Sequence, residues 1–189
     1  MFMREIHEKE AEKMPENNIK TSAEKGTELK SIREKSYFLA DLPKGEKPPQ
    51  DAEKIKCRHE DLSGKNHPVT GVPYGERTIK LEGKTKVGTF PEFESQYDVK
   101  LPKEYHKKTD KEQFEQCNYT VSDAAEKDRD LKKRFKEELF DCEEGVTPYG
   151  YTWHHTENPG EFHLVDSYTH NKTGHSGGRS VWGGGSENR

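Results

Sequence analysis

The sequence reads as an α+β protein, and three observations carry that reading. A strand–turn–strand–helix pattern is written into residues 146–175. Short β-type runs broken by proline and glycine precede it, with helical stretches between them. The first third of the chain is polar and rich in Lys and Glu, with few apolar residues. This divides the chain into a polar helical or disordered linker segment, 1–66, and a compact domain, 67–189, with the hairpin-helix at 146–183.

The elements are justified in chain order. In 1–66, "EIHEKEAEKM" has helix formers without an apolar stripe, and "LPKGEKPPQ" is a linker by composition. Between them Leu29, Ile32, Tyr37, Phe38 and Leu39 make a weakly amphipathic element. From Asn66 onward, β-type runs are expected at 69–72, 78–81 and 87–90. Gly83 falls where a hairpin turn would join the last two. "FPEFESQYDVKLPKEYH" reads as ordered loop. A short helix is expected at 109–118 and a longer one at 122–140. The longer one is capped by Asp123 with Glu126 and lined by Leu131, Phe135 and Leu139. Lys132, Lys133, Arg134 and Lys136 lie mostly on its other faces, which read as a solvated charged face or, alternatively, as a local basic patch beside the site that follows.

In the hairpin, 146–154 is aromatic and β-prone. Asn158-Pro159-Gly160 is a strong turn, because proline presets the first bend and glycine accepts positive φ. A strand over 161–165 follows. Asp166 or Ser167 caps a helix running through His170, and Gly174 ends it before His175.

Bulk composition limits the function classes. Charged residues make up 36% of the 189 and apolar residues 28%, so a small core with much loop is expected. The net charge of −4 counts mildly against nucleic-acid binding by overall attraction. No apolar run approaches a membrane span, and no ordinary secretory signal opens the chain. Export would then use another device, or the chain is part of something longer. Cys57, Cys117 and Cys142 are odd in number and widely spaced, which points to buried thiols rather than disulfides or a CxxC metal site.

The histidines carry the chemistry. Five of the chain's nine lie between Tyr149 and His175. Adjacent residues on a strand point in different directions, so His154 can face a metal while His155 faces a substrate. His170 and His175 are five apart, which needs the loosened turn that Gly174 permits. His154, His170 and His175 would make an open metal site with positions left for water or substrate. A neutral His155 suits a general base near pH 7. One divalent cation (Zn, Mg, Mn or Ni) with a histidine base suits phosphodiester hydrolysis, with Arg179 and Lys172 contacting neighbouring phosphates. A non-catalytic module holding a structural zinc would use the same ligands. Trp153 and Trp182 read as core supports.

The residues "WHH", "FHLVDSYTH" and "GHSGG…WG" resemble the WHH branch of the HNH/endonuclease VII superfamily. These are ββα-metal (His-Me finger) nucleases found as C-terminal toxin domains of bacterial polymorphic toxins. The upstream stretches "HPVTGVPY", "GTFPEFESQYDVKLP" and "DKEQFEQCN" extend the similarity over about 66–185. The resemblance implies that His154, His170 and His175 ligate the metal and that His155 is the base. It puts His163 with the catalytic set, at the position where many relatives carry Asn to brace the base-bearing loop. It implies a metal-dependent endonuclease toxin, DNase in preference to a tRNA- or rRNA-cleaving RNase. Residues 1–66 would then be a linker or pretoxin region. It further implies delivery by a larger secreted effector, action in the target-cell cytoplasm, and a cognate immunity protein forming a heterodimer with an otherwise monomeric toxin.

Overall fold

Among the described residues, two three-stranded sheets and four α-helices organise the fold. The computed structural model describes residues 49–135, 142 and 144–188, and the expectations for 1–48 and 136–140 lie outside them. The described residues all fall in one compact unit, Ser31–Arg189. None of their helices is long and apolar enough to cross a membrane.

The first sheet is β1 (Glu53–Lys54), β2 (Tyr74–Leu81) and β3 (Lys84–Pro91), in the order β1-β3-β2. β2 and β3 pair antiparallel through Glu82-Gly83, and β1 joins β3 in parallel. Both turn residues have positive φ, 52° and 78°, which matches the right-handed twist of the strands on either side. The hairpin read around Gly83 is therefore present. The run at 69–72 is a turn rather than a strand. There Thr70 N–H and Oγ1 both bond His67 Nδ1, and only an isolated bridge links Asn66 to Pro73.

The second sheet is β4 (Tyr97–Lys100), β5 (Tyr151–His155) and β6 (Glu161–Asp166), in the order β4-β6-β5, antiparallel throughout. β4 comes from the stretch read as loop. Its four residues pair with β6 from Tyr97↔Leu164 to Lys100↔Glu161, a partner more than 60 residues away that local pattern does not reveal. β5 and β6 turn at Gly160 (φ 78°). Asp166 Oδ1 then accepts from Thr169 N–H at 2.7 Å and starts α3 (Ser167–Thr173). Gly174 ends that helix in the left-handed region. The strand–turn–strand–helix order is as read from the sequence, with β5 starting later than expected. A last short helix, α4, spans Gly178–Val181.

The helical region departs from the expected division. α1 runs unbroken from Asp110 to Lys127, with its capping box at Thr109 and Glu112 rather than Asp123 and Glu126. The chain breaks at Asp128 (φ −118°, ψ 105°), whose carboxylate accepts from the N–H groups of Asp130 and Leu131 and starts α2 (Arg129–Phe135). Glu126 therefore stands near the end of one helix instead of in the first turn of another.

The core lies between α1 and the second sheet. Gln113, Cys117, Val121 and Ala125 recur every four residues on α1 and are all buried. Of these, Cys117, Val121 and Ala125 cluster with Val99, Leu101, Trp153, Phe162 and Leu164. Burying an aliphatic or aromatic side chain of this size contributes roughly 1.5–3 kcal/mol. Trp153 Nε1 donates to Asn118 Oδ1 and Trp182 Nε1 to the Thr156 carbonyl, so both indoles are buried with their polar atoms bonded. Cys57 and Cys117 are buried free thiols, and Cys142 is buried.

Gly160 and Gly150 both have positive φ, but a Cβ at Gly160 would also meet His106 and the Leu101 carbonyl, while Gly150 has open space. Gly160→Ala is expected to lower stability by roughly 1–3 kcal/mol or more from backbone strain and the clash together. Gly150→Ala should cost clearly less. Urea midpoints of the two variants, compared with wild type, check the order.

Candidate metal centre and its cavity

The two-residue period of β5 separates the paired histidines. His154 lies opposite His163 on β6, and His155 opposite Phe162. His155 packs against Phe114, Phe162 and Trp182, on the core side of the sheet. His154 packs instead with His170 of α3 and His175 just beyond it. At the open end of the strand, both line a single cavity of about 520 Å³. Arg58, Asp110, His170 and His175 share it.

Three imidazoles converge there. One nitrogen from each of His154, His170 and His175 lies within 4.8 Å of the others, an arrangement that can hold a metal ion. His175 Nε2 is 3.1 Å from His154 Nδ1. Two imidazole nitrogens on one tetrahedral ion would stand roughly 3.3 Å apart, given Zn–N of ~2.0–2.1 Å. His175 Nδ1 is buried without a hydrogen-bond partner. The five-residue step from His170 thus brings His175 into the cluster, because the left-handed Gly174 turns the chain back.

Burial sets the charge state of this cluster. Desolvation first, then the neighbouring imidazoles, hold His154 well below the usual histidine range. Burial also lowers His170. Burial, with the fields of His170, Arg58 and His59, takes His175 down to about 3. All three are therefore neutral near pH 7, the form that coordinates metal.

The other residues singled out from the sequence have different surroundings. His163 lies outside the cluster, with Nε2 donating to Glu161 Oε1 at 3.1 Å and standing 3.6 Å from Asp98. Burial opposes its charge, but the Glu161 hydrogen bond and the carboxylates of Asp98, Glu161 and Glu157 outweigh it and raise its pKa. Arg179 is 9% exposed; its guanidinium lies 3.0 Å from Asp110 and donates to the carbonyls of Lys108 and Gly183 and to Gln113. Lys172 is exposed over the Tyr168 ring, 5.8 Å from its centroid.

Phe93, Arg58 and Gln113 were not singled out from the sequence. The Phe93 ring lies 4.8–5.3 Å from all three imidazoles of the cluster. Arg58 N–H donates to Ser176 Oγ, and its guanidinium stands beside Gly174 at the cavity wall. Gln113 Oε1 is 2.8 Å from His155 Nε2. Each contact joins residues far apart in the chain, so no local pattern announces it.

A cluster of neutral imidazoles at a strand–helix junction, open to a cavity, defines a candidate metal-binding site. The family model for the DNase/tRNase domain of colicin-like bacteriocin matches residues 82–177, just over half of the chain. The chain belongs to this family of nuclease toxin domains. The match takes in all five histidines of the terminal stretch and leaves Arg58 and Arg179 outside. No curated protein and no solved structure matches the chain.

The neutral cluster has a linkage consequence. Unfolded imidazoles take up protons below about pH 6.5, whereas folded His175 resists down to about 3. The metal-free chain should therefore lose stability as pH falls through that window, and His175→Gln should flatten the loss. Urea midpoints measured from pH 7 to pH 4 check this. Zinc titration should give one ion per chain, with affinity lost in His154→Ala.

Proposed function

We propose that the chain is a metal-dependent endonuclease toxin of the WHH, ββα-metal type, cutting DNA in preference to RNA. The convergence of His154, His170 and His175 beside a cavity that His155 also lines is the observation that carries this reading. The three imidazoles hold one divalent cation, Zn, Mg, Mn or Ni. Bound there, the cation supplies Lewis-acid stabilisation of the scissile phosphate and the leaving oxygen. His155 removes the proton from the attacking water. Phe93 shields one side of the cluster and keeps the rings in place.

The phosphate contacts need cations that reach the cavity. Arg58 lines the cavity and has no ion pair among the described residues, so it is a further phosphate contact beside those read from the sequence. Lys172 can meet the strand farther along the exposed face of α3. Arg179 can reach phosphate only where the cavity exposes its edge, since its nitrogens already serve Asp110 and three oxygens. His163, held by Glu161 and Asp98, braces β6 opposite His154.

The preference for DNA rests on the way ββα hairpins dock against duplex grooves in the families this one resembles. A family that includes tRNases keeps RNA as the second reading. Membership in a bacteriocin-type family supports delivery by a larger effector, action in the cytoplasm of the target cell and protection of the producer by an immunity protein.

Purified chain should cut plasmid DNA with at least one of Mg²⁺, Mn²⁺, Ni²⁺ and Zn²⁺. His155→Ala should keep its metal and lose roughly 10²–10⁴-fold in rate. Intact plasmid with degraded total RNA selects the RNase reading. Both substrates intact under every metal would refute nuclease action and leave a structural zinc module.

A further inference from the structure

The side chain of Gln113 is completely buried on α1, and its orientation is decided by what surrounds it. Its Nε2 donates to the carbonyls of Tyr105 (2.7 Å) and His106 (3.1 Å), which use both amide hydrogens. The opposite orientation would set an amide oxygen against two carbonyl oxygens and an NH₂ against the Arg179 guanidinium. The oxygen Oε1 therefore faces His155 Nε2 at 2.8 Å and Arg179 Nη1 at 3.3 Å. An amide oxygen only accepts, so His155 Nε2 must be the nitrogen that carries hydrogen. Asp110 Oδ1, 3.6 Å from the same nitrogen and ion-paired with Arg179, favours hydrogen there as well.

We propose that Gln113 is a positioning residue that fixes the tautomer of His155. It holds hydrogen on Nε2, so that Nδ1 is the nitrogen that accepts the proton from water. Resting on the assignment of His155 as the base, this gives that base a defined reacting atom. It also places Arg179 and Asp110 in the support of the base, with Arg179 keeping Oε1 turned toward the imidazole. The control runs from two backbone carbonyls ahead of α1, through one amide, to an imidazole at the end of β5. Fixing a neutral imidazole in one tautomer through the hydrogen bond at its other nitrogen is a general device of histidine sites.

The test reads the tautomer directly. The full chain, loaded with Zn²⁺ and labelled with ¹⁵N-histidine, is measured by NMR at one neutral pH, with His155→Ala used to assign the signal. Wild type should show His155 protonated at Nε2. Gln113→Met removes the acceptor and should convert His155 to a mixture of tautomers. It should lower kcat by about 10–100-fold while zinc stoichiometry and KM hold. Hydrogen on Nδ1 in wild type overturns the proposal, and that measurement does not depend on any Gln113 variant folding. A tautomer unchanged in a folded, zinc-loaded Gln113→Met also overturns it. If the tautomer follows Gln113 while cleavage does not, the positioning stands and the assignment of His155 as the base falls.

Discussion

The alternation of side chains along β5 is the constraint on which the site depends. Two adjacent histidines on a paired strand point to opposite faces of the sheet. One is sent to the cluster with His170 and His175, the other to the face packed on α1. A slip of one residue in the β5–β6 register would exchange them. That register is held by the bonded indole of Trp153, by the buried pair Phe162 and Leu164, and by β4 on the far side of β6.

Separation of the two histidines also separates their physics. On the cluster side, burial makes charge costly and the imidazoles lie close together, so all three are neutral. Such a set can hold a metal ion. On the core side, His155 is held within a network of hydrogen bonds and one ion pair that reaches α1 and α4. The first environment keeps its imidazoles neutral, and the second fixes the orientation of one imidazole.

Helix α1 connects these parts. Its stripe at 113, 117, 121 and 125 does two jobs: Cys117, Val121 and Ala125 pack the sheet, while Gln113 reaches His155. Asp110, in its first turn, stands where a carboxylate is favoured by the helix N-terminus and pairs with Arg179. The break at Asp128 ends α1 and its carboxylate starts α2. The segment at 57–70 reaches the same site from elsewhere, through Arg58 N–H on Ser176 and Thr70 on Thr173.

Local rules made much of this legible in the amino-acid order alone. The turn at Asn158-Pro159-Gly160, the Asp166 cap, the Gly174 stop and the Gly83 hairpin each depend on a few neighbouring residues, and each is present. The histidine spacing likewise contained the cluster, with Gly174 explaining the five-residue step. Tertiary structure alone decided what depends on distant partners. The cap read at Asp123 gave way to caps at Thr109 and Asp128, and the packing of α1 decided this, because its buried stripe includes a glutamine, a cysteine and an alanine that hydropathy does not single out. β4 needed β6, Phe93 needed three imidazoles, and Arg179 met Asp110 and Gln113 from more than 60 residues away. Sequence encodes short-range geometry directly, whereas the partners of a buried polar group exist only once the chain has closed around it.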